Sequence, residues 1–243
     1  MNIEILSVGP FEVNCAIVWN DAKQALVIDP GHDAADIEAV LRKNGLTVAA
    51  YLLTHGHADH LNALAVLYKI RPAPVYLHAE DEKWAFGAQN QILPYYPVPE
   101  KPAAKFIHPE SCHSFQSLPR DNGASLAPLG SNDWKKLEPF FQGSEKNSKP
   151  QRSCFQCLET PGHTPGGVCY YFEEEKVIFT GDTLFKGTCG RTDLPGGDGR
   201  VLAQSLKKLA ALPDDVTVYP GHNESTAIGY EKKTNFFMQQ AAR

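Results

Sequence analysis

The stretch Ala50-Tyr-Leu-Leu-Thr-His-Gly-His-Ala-Asp-His60 constrains this chain more than any other. A short apolar run, Ala50 to Leu53, stops at a segment that packs His55, His57, Asp59 and His60 into six positions. Apolar runs of this length read as buried strands. A strand that breaks into three imidazoles and a carboxylate offers four metal ligands on a rigid support, and that donor mixture suits zinc, iron or manganese. The bland alternative is a histidine-rich surface loop. Four ligating side chains in six residues make too dense a group for that to be the better reading.

The rest of the first third alternates strands and helices. Residues 3–8, 13–19 and 25–29 read as consecutive strands joined by turns at Gly9-Pro10 and Asn20-Asp21. The third ends in Asp29-Pro30-Gly31, where the Pro-Gly pair forces a turn. Asp29 there is either a turn-capping aspartate, which local sequence favours, or a carboxylate that hydrogen-bonds a ligating imidazole. Residues 34–44 have helical spacing closed by Gly45, 61–70 read as a helix, and 74–77 as another short strand. The class is therefore α/β, with layered sheets and helices.

From about Gln89 to Arg152 the pattern is lost. Nine of the 18 prolines fall between Pro94 and Pro150, and periodicity is poor. The reading is one domain over 1–243 carrying an irregular, lid-like insertion at 89–152, with at most a short helix around Trp134 to Phe141. Tyr95, Tyr96, Phe115 and Trp134 favour packing over disorder. His108, Cys112, His113, Cys154 and Cys157 raise a structural zinc site. However, strand alternation after Cys154 would send its thiol and that of Cys157 to opposite faces.

Periodicity returns at Cys154–Glu159. It continues through a hairpin at 168–172 and 177–180, a helix at 199–211, a strand at 216–219 and a short C-terminal helix from about Ser225. Three strand ends in this part carry ligand types after Gly or Pro: Thr160-Pro161-Gly162-His163, Gly181-Asp182-Thr183 and Pro220-Gly221-His222. Singly, each is an ordinary histidine or turn aspartate. With the first segment they supply seven ligands, too many for one tetrahedral zinc and about right for two metals sharing a carboxylate.

At these residues the sequence resembles the metallo-β-lactamase superfamily, whose His-x-His-x-Asp-His signature stands as His55-Gly56-His57-Ala58-Asp59-His60. Thr160 to Gly166, Thr180-Gly-Asp-Thr-Leu-Phe185, Gly190-Arg-Thr-Asp-Leu-Pro-Gly-Gly-Asp198 and Pro220-Gly-His222 resemble its glyoxalase II-like (hydroxyacylglutathione hydrolase-like) branch, in particular compact bacterial members. The resemblance covers 1–85 and 153–243. It implies an αββα sandwich with the metals at one edge of the sheets. It puts His55, His57 and His163 on one metal, and Asp59, His60 and His222 on the second, with Asp182 bridging. The ions implied are two divalent metals, zinc first, with iron or manganese as alternatives.

The implied chemistry is attack of metal-held hydroxide on a thioester or related acyl carbonyl, with Asp59 and Asp182 as the catalytic carboxylates. In glyoxalase II a basic residue two positions after a cysteine contacts the carboxylate of glutathione. Cys189-Gly190-Arg191 matches that place, making Cys189 and Arg191 the expected substrate contacts. The alternative for Arg191 is a structural salt bridge to Asp193 or Asp198. The branch also contains mononuclear iron persulfide dioxygenases, the competing activity. The expected partner is a small acyl or thioester molecule, glutathione-linked in the family's pattern.

Composition excludes other classes. A net charge of −5 without a basic tract argues against a nucleic-acid or membrane-surface partner. Met1 to Val8 alternates like a strand and lacks the basic and apolar regions of a signal peptide. The six cysteines are scattered, the pattern of reduced thiols, so a cytoplasmic location is expected.

Overall fold

The computed structural model describes residues 1–91, 93–108 and 155–242. Asn2–Val8 (β1), Val13–Trp19 (β2), Gln24–Ile28 (β3), Thr47–Leu52 (β4), Val75–Tyr76 (β5) and Phe106–Ile107 (β6) form one sheet in that order. Its first three strands are antiparallel and β3 to β6 are parallel. The second sheet holds Phe155–Glu159 (β7), Val168–Phe172 (β8) and Val177–Gly181 (β9). After a hairpin of Leu184–Phe185 (β10) and Thr188–Cys189 (β11), Thr217–Pro220 (β12) and Thr226–Ala227 (β13) complete it in the order β13-β12-β9-β8-β7.

Strand alternation builds three apolar layers from these two sheets. In β4, Ala50 and Leu52 face the second sheet, where they meet Tyr170, Phe172 and Phe179. Tyr51 and Leu53 face outward onto Ile37 and Leu41 of the helix Ala34–Lys43 (α1) and Leu64 and Leu67 of Leu64–Ile70 (α3). Every residue of β8 is buried. Val168, Tyr170 and Phe172 point inward, while Cys169 and Tyr171 pack toward Leu206 and Leu209 of Gly199–Ala210 (α5). A strand apolar on both sides is what a sheet covered on both faces requires. The fold is the expected αββα sandwich.

Several elements differ from the sequence expectation for identifiable reasons. The helix expected over 61–70 is two, Ala58–Leu61 (α2) and α3, because the Ala63 amide donates to the Pro30 carbonyl at 3.0 Å and leaves the helical ladder. The single C-terminal helix is instead β13 followed by Ile228–Thr234 (α6) and Phe236–Ala241 (α7). Asn235 separates the two helices, its side chain capping α7 at the Phe237 and Met238 amides. Ala79–Ala85 (α4) was not anticipated, although three acids open it at Glu80, Asp81 and Glu82. The described start of the expected insertion contains a 3₁₀ turn, Ala88–Asn90, and the edge strand β6. The expected helix at 134–141 and Cys112, His113 and Cys154 lie outside the described residues. No helix among the described residues is long and apolar enough to cross a membrane.

One buried hydroxyl fastens the sheets just behind the loop that follows β4. Tyr170 of β8, fully buried, donates to the Leu53 carbonyl at 2.9 Å. Tyr170→Phe leaves that carbonyl without its donor and is expected to cost about 1–2 kcal/mol of unfolding free energy, read by urea titration.

Candidate metal centre

The loop after β4 is short because α2 begins within it. His57 is extended and stands at the N-cap of α2, so Asp59 and His60 lie in the first helical turn. The four donors divide into two pairs, His55 and His57 grouping with His163, and Asp59 and His60 with His222. His163 comes from the β7–β8 connection, Asp182 follows β9, and His222 follows β12. Each is carried by the same edge of the sandwich, beyond a strand buried on at least one face.

The seven side chains converge. His163 Nε2 lies 2.9 Å from His57 Nδ1, and His55 joins them to form a group whose ligand atoms all lie within 4.8 Å. Asp59, His60 and His222 form a second such group, with His60 Nε2 and His222 Nε2 3.4 Å apart and Asp59 Oδ2 3.5 Å from His222 Nε2. Asp182 stands between the groups. Its Oδ2 is 3.5 Å from His163 Nε2 and 3.6 Å from His222 Nε2, and its Oδ1 is 3.5 Å from His60 Nε2. Ligands around a tetrahedral zinc lie about 3.3 Å apart, given bonds of about 2.0–2.1 Å.

The remaining ring nitrogens are fixed from behind. His163 Nδ1 donates to the Arg191 carbonyl at 2.7 Å and His222 Nδ1 to the Phe11 carbonyl at 2.8 Å. His60 Nδ1 meets Asp29 Oδ2 at 3.1 Å. Thr54 Oγ1 gives its one proton to Asp29 Oδ2 at 2.6 Å and so accepts from His55 Nδ1 at 3.0 Å. In all four rings the hydrogen bond at Nδ1 leaves Nε2 facing the centre, the atom that binds a metal once it carries no proton. Among the described residues, His55 Nε2 and Asp182 Oδ1 are buried without a hydrogen-bond partner. Orphaned polar atoms at the middle of a histidine and carboxylate cluster fit a bound cation.

The electrostatics point the same way. Burial, reinforced by neighbouring imidazoles, holds His55 far below the usual range and pushes His57 down to about 3. Burial would also depress His60, but the carboxylates of Asp59, Asp182 and Asp29 outweigh it and push His60 up to about 10. For Asp59 the desolvation that would raise it loses to His60 and His222, and the carboxyl falls to about 2. Three carboxylates thus surround one buried imidazole, a field that holds positive charge. Entry of a divalent cation must expel the His60 proton, so metal uptake is expected to release protons and to weaken as the pH is lowered. Titration calorimetry in buffers of differing ionisation enthalpy counts those protons.

A cleft of about 370 Å³ opens over the centre, lined by Phe11, Glu12, His57, Asp59, His163, Asp182, Arg191, Leu194, His222 and Asn223. Arg191 reaches it with an exposed guanidinium already paired to Asp193, Nε to Oδ1 and Nη2 to Oδ2 at 2.7 Å each. Asp198 instead caps α5, accepting from the Arg200 and Val201 amides. Cys189 does not line the cleft. It sits in β11, half-buried against the outer core of the second sheet, and burial pushes its thiol up to about 11.

The family model described as the metallo-β-lactamase superfamily matches residues 8–222. The chain belongs to that superfamily. A protein named hydroxyacylglutathione hydrolase GloC, from Haemophilus influenzae, is 35% identical over 239 residues, 98% of each chain. The crystal structure of the BLEG-1 B3 metallo-β-lactamase superposes with a TM-score of 0.74 at 31% identity, covering 98% of this chain and 99% of that one. That of TTHA1623 in a di-iron-bound form gives 0.72 at 32% identity, covering 96% and 99%. The histidine and aspartate cluster of this chain is consistent with the dinuclear metal site of the superfamily.

Three supporting residues stand out in the structure. Asp29 is a buried hub, accepting from the Thr54 amide at 2.7 Å and the Thr54 hydroxyl while holding His60. Its left-handed φ of 49° lets it turn back under the centre. Asp81 and Asn90 grip the backbone of the His55–His57 segment, and neither was expected. The acidic first turn of α4 was the available signal for Asp81. Asp29→Asn keeps the size but can no longer accept at both oxygens. It is expected to weaken zinc binding about 10- to 100-fold, measured by competition with a chromophoric chelator.

Proposed function

We propose that this member of the superfamily is a metal-dependent hydrolase acting on thioesters or related acyl compounds, with hydroxyacylglutathione hydrolase-like chemistry. The observation that carries the reading is the convergence of seven donors as two groups around Asp182, with His55 Nε2 left unpaired at the middle. His55, His57 and His163 would hold one divalent ion, Asp59, His60 and His222 the other, and Asp182 would reach both. When bound, such ions lower the pKa of water and polarise a carbonyl oxygen. The di-iron-bound form of TTHA1623 keeps iron beside zinc as a candidate metal.

The chain's own residues supply the remainder. Asp59, whose carboxyl is held low by His60 and His222 against its burial, is an ionised acceptor that can orient a water molecule in the cleft. Phe11 and Leu194 give the cleft apolar walls for an acyl group. Arg191 offers its outer edge to an anionic substrate group, although Asp193 competes for it. No serine, threonine, cysteine or lysine lines the cleft among the described residues, so a hydroxyl, thiol or amine nucleophile has no support there. The name of the Haemophilus influenzae relative supports a glutathione-linked substrate. Cys15, Cys169 and Cys189 are free thiols, which supports the expected cytoplasmic placement.

The persulfide dioxygenase alternative needs one iron and leaves Asp59, His60 and His222 idle. His60 and His222 have their own supports in Asp29 and the Phe11 carbonyl, which favours two ions. Metal quantification on the purified protein, with a thioester, lactone and persulfide panel, decides the matter. Two metal equivalents with thioester turnover are expected, and Asp182→Ala should lower that turnover by more than about 100-fold, exceeding an indirect effect on a ligand. One iron with oxygen uptake on glutathione persulfide overturns the hydrolase reading.

A further inference from the structure

Two loops that reach the centre from different sheets meet on a third element, α4. Asp81 of α4 is fully buried and belongs to no metal-ligand group. Its Oδ2 accepts from the Gly56 amide at 2.8 Å and the Thr164 hydroxyl at 2.7 Å, while Oδ1 accepts from the Gly166 amide at 2.7 Å. Gly56 lies between His55 and His57, and Thr164 follows His163. One carboxylate thus joins the backbone of both loops.

The glycines confirm how close this contact is. A Cβ on Gly56 would come within 3.1 Å of Asp81 Cβ, and one on Gly166 within 2.7 Å of Asp81 Oδ1. Both loops are bare where they meet the carboxylate. Asn90 strengthens one side, donating to the Gly56 carbonyl at 2.8 Å and accepting from the Ala58 amide at 3.1 Å, so that it brackets His57. Trp84 packs edge-on against the His57 ring at 5.4 Å.

None of the hydrogen bonds to Asp81 reaches Asp59, His60 or His222. That half is anchored elsewhere. Asp29 holds His60, the Phe11 carbonyl holds His222, and Asn14 Nδ2 donates to the Pro220 and Asn223 carbonyls at 3.0 and 2.8 Å. We propose that Asp81 is a positioning residue for the three-histidine half alone. It sets the separation of the His55–His57 pair from His163 and so governs the metal affinity of that half, leaving the other unchanged. The proposal rests on the dinuclear reading above.

The test compares stepwise zinc affinity by chelator competition in the wild type, Asp81→Asn and Thr164→Val. Cobalt(II) absorption spectra of His163→Ala and His222→Ala serve as references for losing one half or the other. In Asp81→Asn one binding step is expected to weaken about 10- to 100-fold while the second holds, and the one-metal spectrum matches that of His163→Ala. Thr164→Val, which removes only one donor to Asp81, weakens the same step by less, and it decides the matter alone if Asp81→Asn does not fold. Equal weakening of both steps, no weakening, or a spectrum matching His222→Ala overturns the proposal. A wild type that takes up a single ion defeats the dinuclear reading instead. The positioning role then stands only if His163→Ala abolishes that ion's binding and Asp81→Asn weakens it, and otherwise falls.

Discussion

Everything at the edge of this sandwich depends on burying charge that is not yet neutralised. Asp29 is the key to that arrangement. A carboxylate sealed beneath two sheets would be strongly destabilising without donors, and it finds three in the Thr54 amide, the Thr54 hydroxyl and His60 Nδ1. Those bonds make one continuous chain from the end of β3, through the end of β4, to the first turn of α2. Through Thr54 it fixes His55, and directly it fixes His60, so both donor groups take their orientation partly from one side chain. Separate anchors then act on each half.

The sandwich itself serves this purpose. Its two inner faces meet over Leu26, Leu52, Tyr170 and Phe179, while helices seal the outer faces. A core packed on three levels holds strand ends in place to within fractions of an ångström, which loops alone do not. The ligands sit one to eight residues beyond those ends. The preorganisation that a metal centre needs is thus a property of packing as much as of the hydrogen bonds behind the imidazoles.

Much of this was legible from the chain because apolar runs and ligating residues alternate so sharply. All seven proposed ligands stood out as His or Asp within a few residues of a strand end, and the structure brings them together. The supports were less visible. Asp29 looked like a turn cap because its partners, Thr54 and His60, are distant in sequence, at 25 and 31 residues. Asp81 is further hidden, since one of its donors is an amide 85 residues away and backbone amides leave no mark in a sequence. The break between α2 and α3 was likewise invisible, being caused by the Pro30 carbonyl and not by any residue within 61–70. Cys189 matched a motif by spacing, yet β-pairing with Leu184 places it in the outer core of the second sheet.

The bond from His222 to the Phe11 carbonyl spans 211 residues, and Asn14 reaches Pro220 and Asn223 across nearly as many. The turn between the first two strands is therefore part of the wall around a histidine near the far end. On the ribosome, the segment carrying His55, His57, Asp59 and His60 is synthesised long before this wall can close. Contacts of such sequence separation form late and slowly. The second half of the centre is thus completed only when segments some two hundred residues apart come together.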